Sequence, residues 1–321
     1  MQITKEQVKA WHACTDGFRW FLDKFPQGGA YADVHGALIA DKRFDDARWL
    51  VDKMYRTYLD KPEFIQAETA TTDKMVGELT SMEHPSDQVE AENSSGDDAQ
   101  IGSSGDDARI GSSGYNAQIG SSGNYARIGS SGNYARIGSS GDDAQIGSSG
   151  DNAQIGSSGD DAQIGSSGYN AQIGSSGDDA RIGSSGYNAQ IGSSGNYARI
   201  GSSGDDAQIG SSGYNAQIGS SGDDAQIGSS GYNARIGSSG DDAQIGSSGY
   251  NARITASGKN SVVACAGSVK RIVLGEGGCV AAPWHDGERT RFIVAYVGEN
   301  GIEANTPYYI NDEGQFVKVE E

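Results

Sequence analysis

Aspartates stand in adjacent pairs along the middle of this 321-residue chain, at Asp142-Asp143, Asp160-Asp161, Asp178-Asp179, Asp205-Asp206, Asp223-Asp224 and Asp241-Asp242. Such pairs supply hard oxygen ligands for a divalent cation, or a block of negative charge for a basic partner. Tyr214, Tyr232 and Tyr250 alternate with the last three pairs and offer large contact area at little entropic cost. No catalytic constellation accompanies them. There is no Gly-x-Ser-x-Gly elbow, no phosphate-binding glycine loop ending in Lys-Ser/Thr and no paired histidine on a helix. Cys279 and His285, six residues apart across an expected hairpin, lack a third orienting group. Cys14, Cys265 and Cys279 are too scattered for a zinc site or a disulfide framework. The reading is a non-enzyme without cofactor or metal site.

A repeat positions these residues. Isoleucine recurs every nine residues from Ile101 to Ile254, and eighteen units of the form Ser-Ser-Gly-x-x-Ala-(Gln or Arg)-Ile-Gly run from Ser94 to Thr255. Ala and Ile, two positions apart, fall on one face of a strand while the Gln or Arg between them points outward. The Gly-Ser-Ser-Gly that follows has no apolar side chain, and its glycines can take positive φ, so it reads as the turn. One unit alone buries almost nothing. Stacking is therefore obligatory, and the expected fold is mainly β, a parallel β-solenoid around a column of Ile and Ala. The variable dipeptide is Asp-Asp eight times, Tyr-Asn six times, Asn-Tyr three times and Asp-Asn once. Because Tyr and Asn exchange places, both positions belong to an exposed corner.

The number of units per coil decides which variable residues are neighbours. Two units make a flat roll and three a triangular prism, whose wider interior Ala and Ile fill poorly; two are favoured. Nine such coils at about 4.8 Å give a rod on the order of 43 Å long. The Asp205, Asp223 and Asp241 pairs then form a row along one edge, with Tyr214, Tyr232 and Tyr250 along the other. The Asp142, Asp160 and Asp178 pairs share the tyrosine edge, displaced along the axis. Stacked carboxylates repel, which raises their pKa values or demands a cation or basic partner. Three units per coil would interleave Asp with Tyr instead. The position of residue 205 decides: one ladder step from 223 means two units, and one step from 232 means three.

The two ends differ from the array. Residues 1–60 read as an α-helical head, with helices from Thr4 through Trp11, Asp16 to Phe25, Val34 to Ile39 and Ala47 to Leu59, around a core of Trp11, Trp20, Trp49, Tyr55 and Tyr58. Residues 61–93 read as an acidic linker that hinges the head to the rod. The solenoid spans 94–264. Residues 265–321 read as a β cap with strands Val269 to Leu274, Cys279 to Trp284, Arg291 to Val297, Tyr308 to Ile310 and Phe316 to Val319, separated by Asp286-Gly287, Asn300-Gly301 and Glu313-Gly314 turns. The cap covers the open solenoid end and offers a homodimer contact.

Composition narrows the function class. With 43 acidic against 24 basic side chains the net charge is -19, which opposes direct nucleic-acid binding and favours basic partners. Within the array 17 Asp face only seven Arg, at 109, 127, 136, 181, 199, 235 and 253. The opening MQITKEQVKAW lacks an apolar segment and no apolar run approaches a membrane span, so a soluble protein without membrane contact is expected. Three scattered cysteines fit a reducing cytoplasm.

Trp11-His12-Ala13-Cys14, Gly17, Trp20-Phe21, Phe25-Pro26, Gly28-Gly29 and Tyr31 in the head, the nine-residue array, and Trp284 to Gly287 with Tyr308 in the tail together resemble a family of repeat proteins from phages and prophages. The resemblance covers all three parts of the chain in order. It implies a viral origin and a solenoid fold, and assigns no activity. A weaker similarity links the array to pentapeptide-repeat solenoids whose acidic surfaces imitate DNA, although the period of nine departs from five. The calcium-binding nonapeptide roll of secreted toxins shares the period, but expects Gly-Gly-x-Gly-x-Asp where this unit has Gly-Ser-Ser-Gly.

Three expectations follow. The first is an acidic inhibitor of a host nucleic-acid-handling defence, acting by DNA mimicry in the host cytoplasm, with the six Asp pairs and Tyr214, Tyr232 and Tyr250 as its contact residues. Next comes a structural or display spacer whose binding function lies in the terminal domains. Last is a calcium-stabilised β-roll.

Overall fold

The computed structural model describes residues 2–41, 43–58, 64 and 91–319. In each unit the Gln/Arg-Ile-Gly-Ser tetrapeptide forms a strand, from Gln100–Ser103 to Gln244–Ser247. Each strand pairs in parallel register with the one eighteen residues on: Gln208 with Gln226 and Ile209 with Ile227 in one sheet, Arg199 with Gln217 and Ile200 with Ile218 in the other. Two units therefore make one coil, as the small volume of Ala and Ile predicts. Alternate units build a 12-stranded sheet, here called the front, and a 13-stranded back sheet.

The core lies between the two sheets. Every Ile from Ile101 to Ile254 is at most 7% exposed, and the repeat alanines from Ala108 to Ala252 are as deeply buried. A third inward position lies two residues beyond each Ile, because strand alternation continues through the first serine of the unit. Ser112 through Ser247 are accordingly buried at nine-residue intervals, and most of their hydroxyls, Ser148 and Ser220 among them, lack a partner among the described residues. Sequence reading assigned all of Gly-Ser-Ser-Gly to the turn. Its first half instead belongs to the strand, and its serine is the small residue that lets the two sheets close.

The bend also falls elsewhere than expected. Positive φ, between 55° and 60°, occurs at the second variable residue of every unit, from Asp98 and Asp107 to Asn251 and, in the degenerate copy, Asn260. Asp and Asn tolerate this left-handed conformation best among non-glycine residues, which explains why they occupy fifteen of the eighteen second positions. Tyr125, Tyr134 and Tyr197 adopt it too. No array glycine has positive φ among the described residues. The second glycine is required for close approach: a Cβ on Gly213 would fall 1.8 Å from the carbonyl oxygen of Gly195 in the preceding coil.

The head contains helices α1 (Lys5–Ala10), α2 (Thr15–Lys24), α3 (Tyr31–Ala40) and α4 (Phe44–Tyr58). Thr4 and Gln7 cap α1 reciprocally: the Gln7 amide N–H donates to Thr4 Oγ1 at 3.3 Å, and the Thr4 N–H to Gln7 Oε1 at 2.8 Å. Cys14 caps α2, its Sγ accepting the Gly17 N–H at 3.2 Å. The buried centre is Ile3, Val8, Phe21, Tyr31, Val34, Leu38, Ala47, Leu50, Val51, Met54 and Phe64. Trp11, Trp20, Trp49 and Tyr58 pack around it, half-buried, where their polar ends reach partners such as Asp41, which accepts from Trp20 Nε1 at 2.8 Å. They form the rim of the core and not its centre. The Tyr55 side chain and nearly all of the expected acidic linker lie outside the described residues.

The head sits against the back sheet. His35 of α3 has its pKa well below the ordinary value, first because it is desolvated and then because the Arg181 and Arg199 guanidiniums lie nearby. Its Nε2 is buried without a partner among the described residues. At the other end, Val269–Leu274 and Cys279–His285 continue the back and front sheets in parallel. Thr290–Tyr296 then adds an antiparallel strand to the front sheet, and Tyr308–Ile310 and Phe316–Lys318 add two to the back sheet. Asp286, at the expected hairpin turn, accepts backbone N–H groups of Arg289 and Glu288 and pairs with Arg291, which holds its carboxyl down to about 2.

Two outcomes are expected. Gly213→Ala loses about 3 kcal/mol in denaturant unfolding because its methyl collides with backbone, whereas Gly210→Ala, whose Cβ meets nothing within 4 Å, changes stability by less than about 0.5 kcal/mol. His35 is held neutral on folding, so the unfolded state takes up the extra proton below about pH 6.5. Stability therefore falls from pH 7.5 to 5.5, by at most about 1.4 kcal/mol per pH unit, and His35→Gln removes that part of the slope.

Candidate functional site

The variable dipeptides line the two edges of the rod, where the chain passes between sheets. On one edge Asp205-Asp206, Asp223-Asp224 and Asp241-Asp242 occupy three successive coils, and on the other Asp142-Asp143, Asp160-Asp161 and Asp178-Asp179 do the same. All twelve residues are exposed or half-buried. The two rows are offset along the axis, as a two-unit coil requires.

The first residue of each pair has a structural role that spacing alone does not reveal. The Asp223 N–H donates to Asp205 Oδ1 at 3.0 Å, the Asp241 N–H to Asp223 Oδ1 at 2.7 Å, and the Lys259 N–H to Asp241 Oδ1 at 2.7 Å. On the opposite edge Asp160 donates to Asp142 at 2.9 Å, Asp178 to Asp160 at 2.8 Å, and Asn196 to Asp178 at 2.7 Å. Every first-position Asp or Asn in the array accepts in this way, including Asn124, Asn133 and Asn196, which receive the N–H groups of Asp142, Asp151 and Tyr214. A corner N–H that would otherwise leave the sheet ladder unpaired is thereby satisfied from the coil below. The acceptor can be a carboxylate or an amide, so the charge at this position is not what the fold uses.

The second aspartate is left for other work. Asp143 has its pKa raised by burial, and then by the Asp161 and Asp142 carboxylates. Asp206 accepts from the Tyr187 hydroxyl, whose pKa is raised chiefly by that bond. Each row therefore combines one carboxylate tied to backbone with one projecting from a left-handed corner. Tyr214 and Tyr232 stack with centroids 5.2 Å apart and planes within 7°, and Tyr250 continues the column at 6.5 Å. Asn251 Nδ2 donates to Tyr232 Oη at 2.8 Å. The structure thus brings together the two acidic rows and the tyrosine column, each as a separate strip.

The two sheet faces are unlike. Outward glycines of the back sheet, from Gly147 to Gly237, are buried, as are Gln217 and Arg235, while those of the front sheet from Gly174 to Gly246 are exposed. Six of the seven array arginines, Arg109, Arg127, Arg181, Arg199, Arg235 and Arg253, lie on the back sheet, and Arg136 alone on the front. Their mutual spacing in multiples of eighteen is visible in the sequence, once two units per coil is accepted.

Other candidates come apart. Cys279 and His285 occupy opposite ends of the same strand, about 20 Å apart, with the hairpin turn beyond His285 and not between them. Burial pushes the Cys265 thiol up to about 12. Among the described residues no three carboxylate, histidine or cysteine side chains converge as a metal site would require. The Asp pairs run in parallel rows, and the first Asp of each pair has one oxygen committed to a backbone N–H. Among the described residues no helix is long and apolar enough to cross a membrane.

Comparison with known proteins bears on the head. Residues 1–59 match the family described as the YdhT N-terminal domain. The chain is similar to the uncharacterised protein YdhT of Escherichia coli (strain K12), 36% identical over 75 residues, which are 23% of this chain and 28% of that protein. The match thus spans little more than a quarter of that relative. No solved structure matches the chain.

The corner geometry makes a sharp distinction between two substitutions. Asp223→Asn keeps an acceptor for the Asp241 N–H and leaves stability within about 0.5 kcal/mol of the parent. Asp223→Ala removes it and lowers stability by about 1 kcal/mol, measured by chemical denaturation at neutral pH.

Proposed function

We propose that this is a binding protein without a catalytic step of its own, whose acidic edges occupy the basic nucleic-acid channel of a host defence complex in place of a phosphate backbone. The observation that carries this reading is line charge. On the edge with Asp205, six carboxylates fall within three coils, or about 14 Å at the strand spacing. That is roughly one per 2.4 Å, against about one per 1.7 Å in duplex DNA. The ladder of first-position acceptors keeps this density on a stiff backbone, so the charge is presented without first being ordered. A net charge of -19 extends the attraction beyond the contact. The resemblance to phage and prophage repeat proteins supports a target in the cytoplasm of the host cell.

A second reading is favoured by where the family match falls. It lies in residues 1–59, so the head would carry the shared activity and the rod would act as a spacer.

One experiment separates the two. The full chain is immobilised and used to retain proteins from a bacterial lysate, and the same is done with a variant carrying Asn at 205, 206, 223, 224, 241 and 242. The corner ladder accepts Asn, so the variant folds. Mimicry predicts retention of nucleic-acid-binding proteins that duplex DNA competes away and about 0.5 M NaCl releases, reduced at least tenfold by the neutral variant. Unchanged retention by that variant contradicts mimicry and supports the spacer.

A further inference from the structure

The front sheet ends on an unguarded strand. Thr290–Tyr296 is its last member and, among the described residues, pairs only with Cys279–His285. On the inward side Ala295 is buried within the core and Ile293 is half-buried. The outward ones are Phe292, Val294 and Tyr296, which are 63%, 51% and 51% exposed. They continue across the same face to Val262, 48% exposed, through the pairings of Tyr296 with Cys279 and of Cys279 with Val262. Four large apolar side chains thus form one contiguous exposed patch beside an open sheet edge.

Proteins protect such edges with charge, proline or cover. The back sheet follows this rule: its last strand, Phe316–Lys318, carries Lys318, paired with Glu303 at 2.6 Å. Thr290–Tyr296 has Arg291 as its single charge, and that guanidinium is turned back onto Asp286 within the same hairpin. The exposed row is also self-complementary. When the strand is laid antiparallel to itself about Val294, Val294 meets its own copy and Phe292 meets Tyr296 on both sides of the two-fold. Aromatic and β-branched cross-strand pairs of this kind stabilise antiparallel strands.

We propose that a second copy of this chain covers this edge, with Thr290–Tyr296 pairing antiparallel to its own counterpart, so that two front sheets join into one continuous sheet across a two-fold axis. The occupant is another copy because the row complements itself and carries no charged side chain, so two copies can meet there without placing like charges in contact. With aromatic side chains burying 150–250 Å² each, Phe292 and Tyr296 leave about 100 Å² apiece to cover. Together with the seven-residue edges this gives an interface below the standard size, which fits a weak, concentration-dependent dimer. The inference is independent of what the acidic edges bind.

The test uses sedimentation equilibrium of the full chain between about 1 and 100 µM. A reversible shift from the 33.4 kDa monomer to twice that mass is expected. Val294→Lys, which sets like charges opposite each other, weakens it at least tenfold while the far-ultraviolet spectrum and melting curve stay unchanged. Phe292→Ser, a milder change, does the same should the lysine perturb the cap. Val294→Cys, in a background with Cys14→Ser and Cys279→Ser, forms an intermolecular disulfide on mild oxidation. A monomer at the highest concentration overturns the proposal, as does a dimer that both substitutions leave intact. Dimerisation that Val294→Lys abolishes but Val294→Cys does not cross-link overturns the strand pairing.

Discussion

Successive coils approach so closely at the corners that no side chain fits between them. A Cβ at Gly213 would fall 1.8 Å from the Gly195 carbonyl oxygen, and one at Gly240 would fall 2.0 Å from that of Gly222. This approach keeps each coil at strand spacing and in register from one end of the array to the other. Register in turn decides everything displayed. Because residue i always lies over residue i−18, Ile stacks on Ile, Gly on Gly and each corner dipeptide on the one two units earlier. Stability in such a stack accumulates coil by coil, and a single misplaced methyl interrupts it locally.

The same register creates the electrostatic problem of the rows. Like charges one strand apart repel, which is seen where burial and the Asp161 and Asp142 carboxylates raise the pKa of Asp143. Each first-position carboxylate nonetheless accepts a backbone N–H from the coil above, the same bond that Asn124, Asn133 and Asn196 accept without a charge. Function and fold thus draw on different atoms of the same pair. Arginine is kept off the open face by the same periodicity, since six of seven share the back sheet, and the acidic edges flank a front face of Gln and Gly.

Much of this was legible in the residues. The isoleucine period, the poor volume of Ala and Ile and the turns at Asp286-Gly287 and Asn300-Gly301 lead to a two-unit coil and to strands within a residue or two of those observed. The head helices follow from apolar spacing and the Thr4–Gln7 cap. Three features were hidden for physical reasons. Ser112 and its equivalents look like turn residues because serine is polar, yet strand parity carries them inward. Positive φ falls on Asp, Asn and even Tyr, where glycine would be the first choice. The unequal burial of the two sheet faces is tertiary: His35 meets Arg181 and Arg199 across 146 and 164 residues of sequence, and no local pattern encodes that.

Every surface described depends on eighteen residues per coil, and a distance measured along the rod tests that most directly. Ser104 and Ser248 are exposed and directly follow Gln100–Ser103 and Gln244–Ser247, strands of the same sheet that lie eight ladder steps apart. Spin labels placed there, with Cys14 and Cys279 replaced by serine, should give a pulsed electron-resonance distance centred near about 38 Å, the product of those steps and the strand spacing. A distribution centred well below that value, as the fewer and larger coils of a three-unit arrangement would produce, contradicts the account and dissolves both acidic rows.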